Sequence, residues 1–288
     1  MVNAIFSDQI GRNMEIYVDD MLVKSKKCSE YLKNLEETLK KLKKSQLCIN
    51  PVKCSLGVTS GMFLGFMISE RGIKPNSDKI NVIMQMEAPG SYKEVQWLAG
   101  CLVSLNRFIS RSADRNLPFL RKLRQAMKDE LVWDEECAKP FEELKNYLLS
   151  PNILTRPEGK EELQLYLAVS KGAVSSVIIR EEAKVQKPIF YVSHGLHGPE
   201  ENYPLIEKFV MALVMSARKL KAYFEAHPIM VVTEQPLKRI LANPAQIGRL
   251  TKWVAELCEF ELAFVPRIGV KAQALIDLVI ECTTKRPS

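Results

Sequence analysis

The chain has 288 residues, 47% of them hydrophobic and 26% charged, which is enough apolar material for a buried core and a length that suits about two domains. No basic, apolar, small-residue leader opens it, and no stretch is apolar enough for long enough to cross a bilayer, so an intracellular protein of the cytoplasm or nucleus, away from membranes, is expected. Its seven cysteines (28, 48, 54, 101, 137, 258 and 282) are odd in number and form no Cys-x-x-Cys pair, which fits reduced thiols rather than a disulfide frame.

In chain order, the first predicted element is a β-hairpin. Ile16-Tyr17-Val18 and Met21-Leu22-Val23 are strand-forming runs on either side of Asp19 and Asp20, which places two carboxylates on a tight tip. Paired carboxylates on a rigid turn suit phosphoryl transfer, where two Mg²⁺ ions about 4 Å apart stabilise the attacking and leaving oxygens. An Asp-Asp pair is also an ordinary turn dipeptide, and by spacing alone a plain surface turn is the favoured reading. An amphipathic helix follows from about Glu30 to Ser45, then a second hairpin from Met62 to Ser69.

Ile80, Ile83 and Met84, then Val95, Leu98, Leu102 and Leu105, recur at helical spacing, with Ala88-Pro89-Gly90-Ser91 as a break. A linker with one helix comes next, punctuated by Pro151 and Pro157. Leu163–Val169, Ala173–Arg180 and Pro188–Ser193 read as strands, Tyr203–Glu225 as a long helix, and Ile229–Thr233 and Phe260–Val265 as two more strands separated by helix. The expected class is therefore α+β (mixed α/β), with a mixed five-stranded sheet flanked by helices in the second half.

The net charge of +7 is uneven. Met1 to Gln125 carries 20 Lys and Arg against 12 Asp and Glu (+8), and the remainder 21 against 22 (−1). Met21–Ser55 (nine against three) and Arg71–Gln125 (ten against four) hold the excess, an electrostatic footprint suited to a phosphate backbone. From Lys33 to Lys44 a solvated helix face opposite Leu32, Leu35, Leu39 and Leu42 accounts for the lysines equally well.

Other features carry less. His194 and His197 flank Gly195-Leu196 at a metal-like spacing with no accompanying cysteines, and read as a surface loop. Gly57, Gly61, Gly65 and Gly72 make no phosphate-cradling fingerprint. Trp97, Trp133 and Trp253 sit among helical periodicity and are expected in the core.

Several of these segments together resemble one family. Tyr17-Val18-Asp19-Asp20 resembles the Tyr-x-Asp-Asp hairpin in the palm of reverse transcriptases, and Phe63-Leu64-Gly65-Phe66 resembles the primer-grip hairpin. Leu105-Asn106-Arg107-Phe108-Ile109 is similar to the thumb segment that approaches nucleic acid. Trp133-Asp134-Glu135-Glu136-Cys137 and Phe141-Glu142-Glu143-Leu144-Lys145 are similar to the linker between polymerase and RNase H in the Pol polyprotein of gypsy-type LTR retrotransposons. The likeness continues through Pro188–Ser193, Asn202-Tyr203, Thr233–Leu237 and Arg249–Trp253.

The resemblance implies a partial palm over 1–75, a thumb over 76–127, a linker over 128–160 and an RNase H-like domain over 161–282. It implies Asp19 and Asp20 as catalytic Mg²⁺ ligands, Phe63, Leu64, Gly65 and Phe66 at the primer end, Arg107 and Arg111 on phosphates, and an RNA–DNA hybrid or primer–template as partner. The RNase H carboxylates are another matter, since their positions fall on Ala168, Phe209, Glu234 and Gln273, which leaves one acidic residue. The family's first metal-binding aspartate lies well upstream of the hairpin, and Asp8 looks like the end of a helix rather than its substitute. The expectation is thus a chain that cleaves no hybrid, and that polymerises no DNA unless an upstream Pol segment joins it. A non-catalytic module, binding hybrid or domesticated for other interactions, is the alternative.

Overall fold

The computed structural model describes residues 2–25, 27–126, 133–242 and 248–266, which belong to two compact units, Met1–Glu70 and Arg71–Ser288. The first unit contains α1 (Val2–Ile5), β1 (Met14–Tyr17), β2 (Asp20–Val23), α2 (Cys28–Lys44), β3 (Ser60–Phe63) and β4 (Phe66–Ser69). β1 and β2 are antiparallel, with Met14 opposite Val23 and Tyr17 opposite Asp20. The period-two alternation sends Met14 into a small core with Phe6 and Leu42, against which Ile16, Met21 and Val23 pack. Polar groups tie the base of the hairpin to α2: Gln9 Nε2 donates to Thr38 Oγ1 (3.3 Å), and Asn13 Nδ2 to Asn34 Oδ1 (3.1 Å) and Glu37 Oε2 (3.2 Å).

The second unit begins with β5 (Gly72–Pro75), whose Ile73 exchanges both backbone hydrogen bonds with Leu154 (2.8 and 3.0 Å). Gly72 has a φ of +128°, and a Cβ there would lie 2.2 Å from the Leu154 carbonyl oxygen, so only glycine permits this pairing. Then come α3 (Ser77–Gln85), α4 (Tyr92–Leu105), α5 (Ser112–Ala126) and α6 (Glu135–Leu148). α4 starts at a capping box in which Ser91 and Glu94 satisfy each other's backbone N–H groups. Ile83, Val95, Leu98, Leu102, Phe119, Phe141, Leu144 and Leu148 make one buried cluster, so the linker helix α6 shares the core of α3, α4 and α5. Trp133 stacks parallel to Phe119 (centroids 5.8 Å apart) and meets Phe141 edge-on (5.7 Å).

The remainder is β6 (Leu163–Val169), β7 (Ala173–Glu182), β8 (Val185–Gly195), α7 (Leu205–Lys219), α8 (Lys221–Ala226), β9 (Ile229–Val232), α9 (Leu237–Ala242), α10 (Gly248–Leu257) and β10 (Leu262–Val265). The five strands form one mixed sheet in the order β10-β9-β6-β7-β8, antiparallel across β6, β7 and β8 and parallel across β6, β9 and β10. This is the expected α+β architecture. β6, β7, β9 and α7 bury Leu163, Leu165, Ile178, Val210, Leu213, Val214 and Val231 in its core.

Three details depart from the sequence reading. The expected helix over 203–225 is broken at Leu220, which takes φ −113° and ψ 27° and ends α7. The β7–β8 hairpin runs farther than expected, turning at Ala183 and Lys184, both with positive φ. Pro188 sits inside β8, where the register slips beside Ile179. A proline cannot donate to the ladder, and β8 is an edge strand, where that loss is tolerated.

Candidate active-site hairpin and nucleic-acid face

The tip of the β1–β2 hairpin is the two-residue connection Val18-Asp19, with Asp20 already in β2, one residue earlier than the sequence alone suggests. The reason is steric. A two-residue turn that follows the strand twist needs positive φ, and Val18 supplies it at 54°, a strained angle for a β-branched residue. Tyr17 and Val18 are 60% and 73% exposed, and the Asp19 and Asp20 side chains are exposed and paired with no described residue. Two adjacent, unneutralised carboxylates offer hard oxygen ligands of the kind Mg²⁺ takes.

Asp8, the nearest acidic residue upstream, is committed elsewhere. Its carboxylate is ion-paired with Lys41, and that hydrogen bond holds it below the ordinary carboxylate range. Among the described residues, no group of three His, Cys, Asp or Glu side chains is placed to hold a metal.

Phe63 and Phe66 face each other across the β3–β4 hairpin, whose connection is Leu64 (φ 53°) and Gly65 (φ 75°). Positive φ at both central residues is the turn that best matches strand twist. Leu64 is 41% exposed at that tip.

In the second unit, the two arginines expected on phosphates are engaged inside the protein. Arg111 is buried, and its Nε and Nη2 donate to Asp114 Oδ2 at 3.0 and 2.9 Å. Asp114 Oδ1 in turn accepts from Ser170 Oγ (2.5 Å), at the end of β6. The Arg107 guanidinium lies 4.6 Å over the Phe190 ring of β8, and burial pulls its pKa below the usual arginine value. With Ala113 N donating to Ser193 Oγ (3.0 Å), these contacts fasten the start of α5 to the sheet. A phosphate that reached Arg111 would first have to displace Asp114.

The exposed face of α4 is the better candidate. Lys93, Gln96, Trp97 and Gly100 follow at i, i+3, i+4 and i+7, all exposed, and a Cβ added to Gly100 would meet nothing within 4 Å. Trp97 was expected in the core and is 45% exposed. Helical phase was the signal, because Val95, Leu98, Leu102 and Leu105 define the buried stripe and Trp97 falls outside it. Trp133 and Trp253 do pack against buried clusters.

Of the positions expected to be emptied of RNase H carboxylates, Ala168 is 3% exposed within β6 opposite Ser175, Phe209 packs against the core from α7, and Glu234 is exposed just beyond β9. Gln273 lies outside the described residues. Glu207, two residues before Phe209, is buried and ion-paired with Arg249 (3.4 Å), which also lies 4.1 Å over the Tyr203 ring. His194 and His197 both approach Glu200: His194 Nε2 lies 3.4 Å from its carboxylate, and the His197 backbone N–H donates to it at 3.0 Å.

A palm-type carboxylate hairpin and an RNase H-like sheet in one polypeptide define a class, and comparison with known proteins gives the same one. The family described as reverse transcriptase (RNA-dependent DNA polymerase) matches residues 1–68, and the family described as RNase H-like domain found in reverse transcriptase matches residues 133–231. The chain carries a reverse transcriptase segment and an RNase H-like domain, and its curated relatives are retrotransposon Pol polyproteins. It is 32% identical, over 96% of its length, to the retrovirus-related Pol polyprotein from transposon opus of Drosophila melanogaster, and 27% identical over 87% to the transposon Tf2-3 polyprotein of Schizosaccharomyces pombe. It spans 29% and 18% of those relatives' lengths. In fold it is similar to the foamy viral protease-reverse transcriptase solved with RNA/DNA hybrid (TM-score 0.79, 21% identity, all of this chain and 39% of that one). The same protein solved with double-stranded DNA gives a TM-score of 0.78 at 22% identity, over 94% of this chain and 57% of that one.

Proposed function

We propose that this chain is the primer–template-handling portion of a gypsy-type, intracellular reverse transcriptase. Asp19 and Asp20 are its metal-ligating carboxylates, and the observation that carries the reading is their exposed, unpaired presentation on a hairpin strained at Val18. Mg²⁺ bound there would neutralise phosphate charge on the reacting groups. The Phe63–Phe66 hairpin positions the primer end, and the α4 face carrying Lys93, Gln96 and Trp97 lies along the duplex, with Trp97 supplying apolar contact and Lys93 a cation for phosphate. Arg107 and Arg111 act from behind that face, by fastening the helices to the sheet.

The RNase H-like domain is a non-catalytic connection. Ala168 and Phe209 bring no oxygen ligand, and Glu234 alone cannot hold two divalent ions. Hybrid incubated with the chain in Mg²⁺ or Mn²⁺ is expected to stay intact. Cleavage that persists in Glu234→Ala would contradict the assignment of these positions. For the hairpin, Mn²⁺ as a paramagnetic stand-in for Mg²⁺ is expected to broaden NMR signals around residues 17–21, and Asp19→Asn/Asp20→Asn to abolish the effect. Broadening unchanged in the double variant would remove the hairpin from the metal site.

A further inference from the structure

The carboxylate hairpin adopts a register that its own tip does not favour. With Asp19-Asp20 as the connection, positive φ would fall on two aspartates, which tolerate it far better than valine does. That register is reached by sliding β2 two residues along β1, so that Met21 faces Val18 instead of Ile16, and Val23 faces Ile16 instead of Met14. A slide of two residues leaves every side chain on its own face of the hairpin, so strand alternation does not forbid it. The base of the hairpin must therefore hold β2 in place against the strain at Val18 (φ 54°).

The side chain of Asn34, in the second turn of α2, is bonded to the bases of both strands. Its Nδ2 donates to Ser25 Oγ (2.7 Å) and to the Lys24 carbonyl oxygen (3.4 Å), just past the end of β2. Its Oδ1 accepts from Asn13 Nδ2 (3.1 Å), just ahead of β1. The two backbones it joins are themselves paired, since Lys24 N donates to the Asn13 carbonyl oxygen (2.8 Å). Asn13 is 3% exposed, and Glu37 Oε2 holds its amide from a second position on α2 (3.2 Å). The two-residue slide would carry Lys24 and Ser25 about 7 Å along the strand and break both bonds from Asn34 to β2 together.

We propose that Asn34 is a positioning residue for metal binding, a clamp that holds the hairpin in the register with Asp19 at the tip and Asp20 opposite Tyr17. Strands of four residues each carry the register from the clamped base to the tip, so the bonds of Asn34 and the strain at Val18 are two ends of one device. In the relaxed register both aspartates would stand in the connection, and their carboxylates would no longer be presented in the same relation. The proposal rests on the reading of Asp19 and Asp20 as metal ligands.

NMR of the full chain tests it, with Mn²⁺ broadening around residues 17–21 as the binding readout and the Val18–Met21 and Lys24 signals as register markers. Leu is a good helix former close to Asn in size, so α2 should stay formed in Asn34→Leu. In that variant the Lys24 amide should lose protection from exchange and cross-strand contacts between Val18 and Met21 should appear. The Mn²⁺ dissociation constant should rise about threefold or more, because the competent register becomes only a fraction of the population. Adding Val18→Gly removes the strain that drives the slide, so Val18→Gly/Asn34→Leu should regain the native register and most of the Mn²⁺ affinity, a rescue that a general loss of packing would not show. Native register with unchanged Mn²⁺ affinity in Asn34→Leu overturns the proposal, as does a loss that Val18→Gly fails to rescue. In both results the wild-type chain still shows the broadening. Its absence from the wild-type chain is a different result, which overturns the metal-ligand reading itself and the positioning role with it.

Discussion

The carboxylate hairpin and the RNase H-like sheet keep opposite things. The hairpin rests on a small core around Phe6, Met14 and Leu42 and holds its acidic residues in the open at a strained turn. The sheet has a large, well-filled core and the complete five-strand order, yet the positions where hybrid-cleaving carboxylates were expected hold a buried alanine and a packed phenylalanine. Fold depends on many apolar contacts, each replaceable, while metal chemistry depends on a few oxygens at fixed places. In the sheet, the positions where such ligands were expected are occupied by side chains that pack.

Substitutions can break or sharpen this contrast. The largest effect is expected where the second unit is packed most tightly. Phe141→Ala removes the ring that Phe119, Trp133 and Lys145 contact, and should cost about 4 kcal/mol in urea denaturation. Restoring a carboxylate to the sheet comes next. Ala168→Asp places a charge at a 3% exposed site and should cost about 3 kcal/mol; a neutral result would mean the site still accommodates a metal ligand, and the contrast would fail there. The hairpin should respond the other way. Val18→Gly relieves the positive φ and should raise thermal stability by up to about 1 kcal/mol, showing that the strain is retained for function rather than folding.

The smallest effect concerns acid. A hydrogen bond from Lys122 (2.5 Å) holds the Asp134 carboxyl below its ordinary range. A depressed carboxyl contributes stability that is present above its unfolded-state pKa and lost as pH falls through the folded one. Lys122→Met should therefore flatten the decline of stability on the acid side of that range, which a melting series from neutral to acid pH would reveal.

Much of this was legible in the sequence, for physical reasons. Strand alternation, turn residues and the succession of three strands, helix, strand, helix, strand led to the observed sheet. Strongly patterned segments such as Leu163–Val169 came through with their ends intact. α5 has no clear sequence signature, because Pro118 interrupts it and its charges dilute the apolar period. The hairpin tip slipped by one residue because Val18, a good strand former, was forced by the turn to adopt positive φ. The resemblance that puts Arg111 on phosphate carries no sign of its ion pair with Asp114, three residues on, which only the structure reveals.

The measurement that bears most directly on the account is the affinity of the full chain for an RNA–DNA hybrid across a salt series, with Lys93→Ala/Trp97→Ala beside it. Tight binding with a steep salt slope, weakened and flattened in the double variant, is the predicted result. Weak binding that the variant leaves unchanged would contradict the claim that this chain handles nucleic acid through the exposed face of α4.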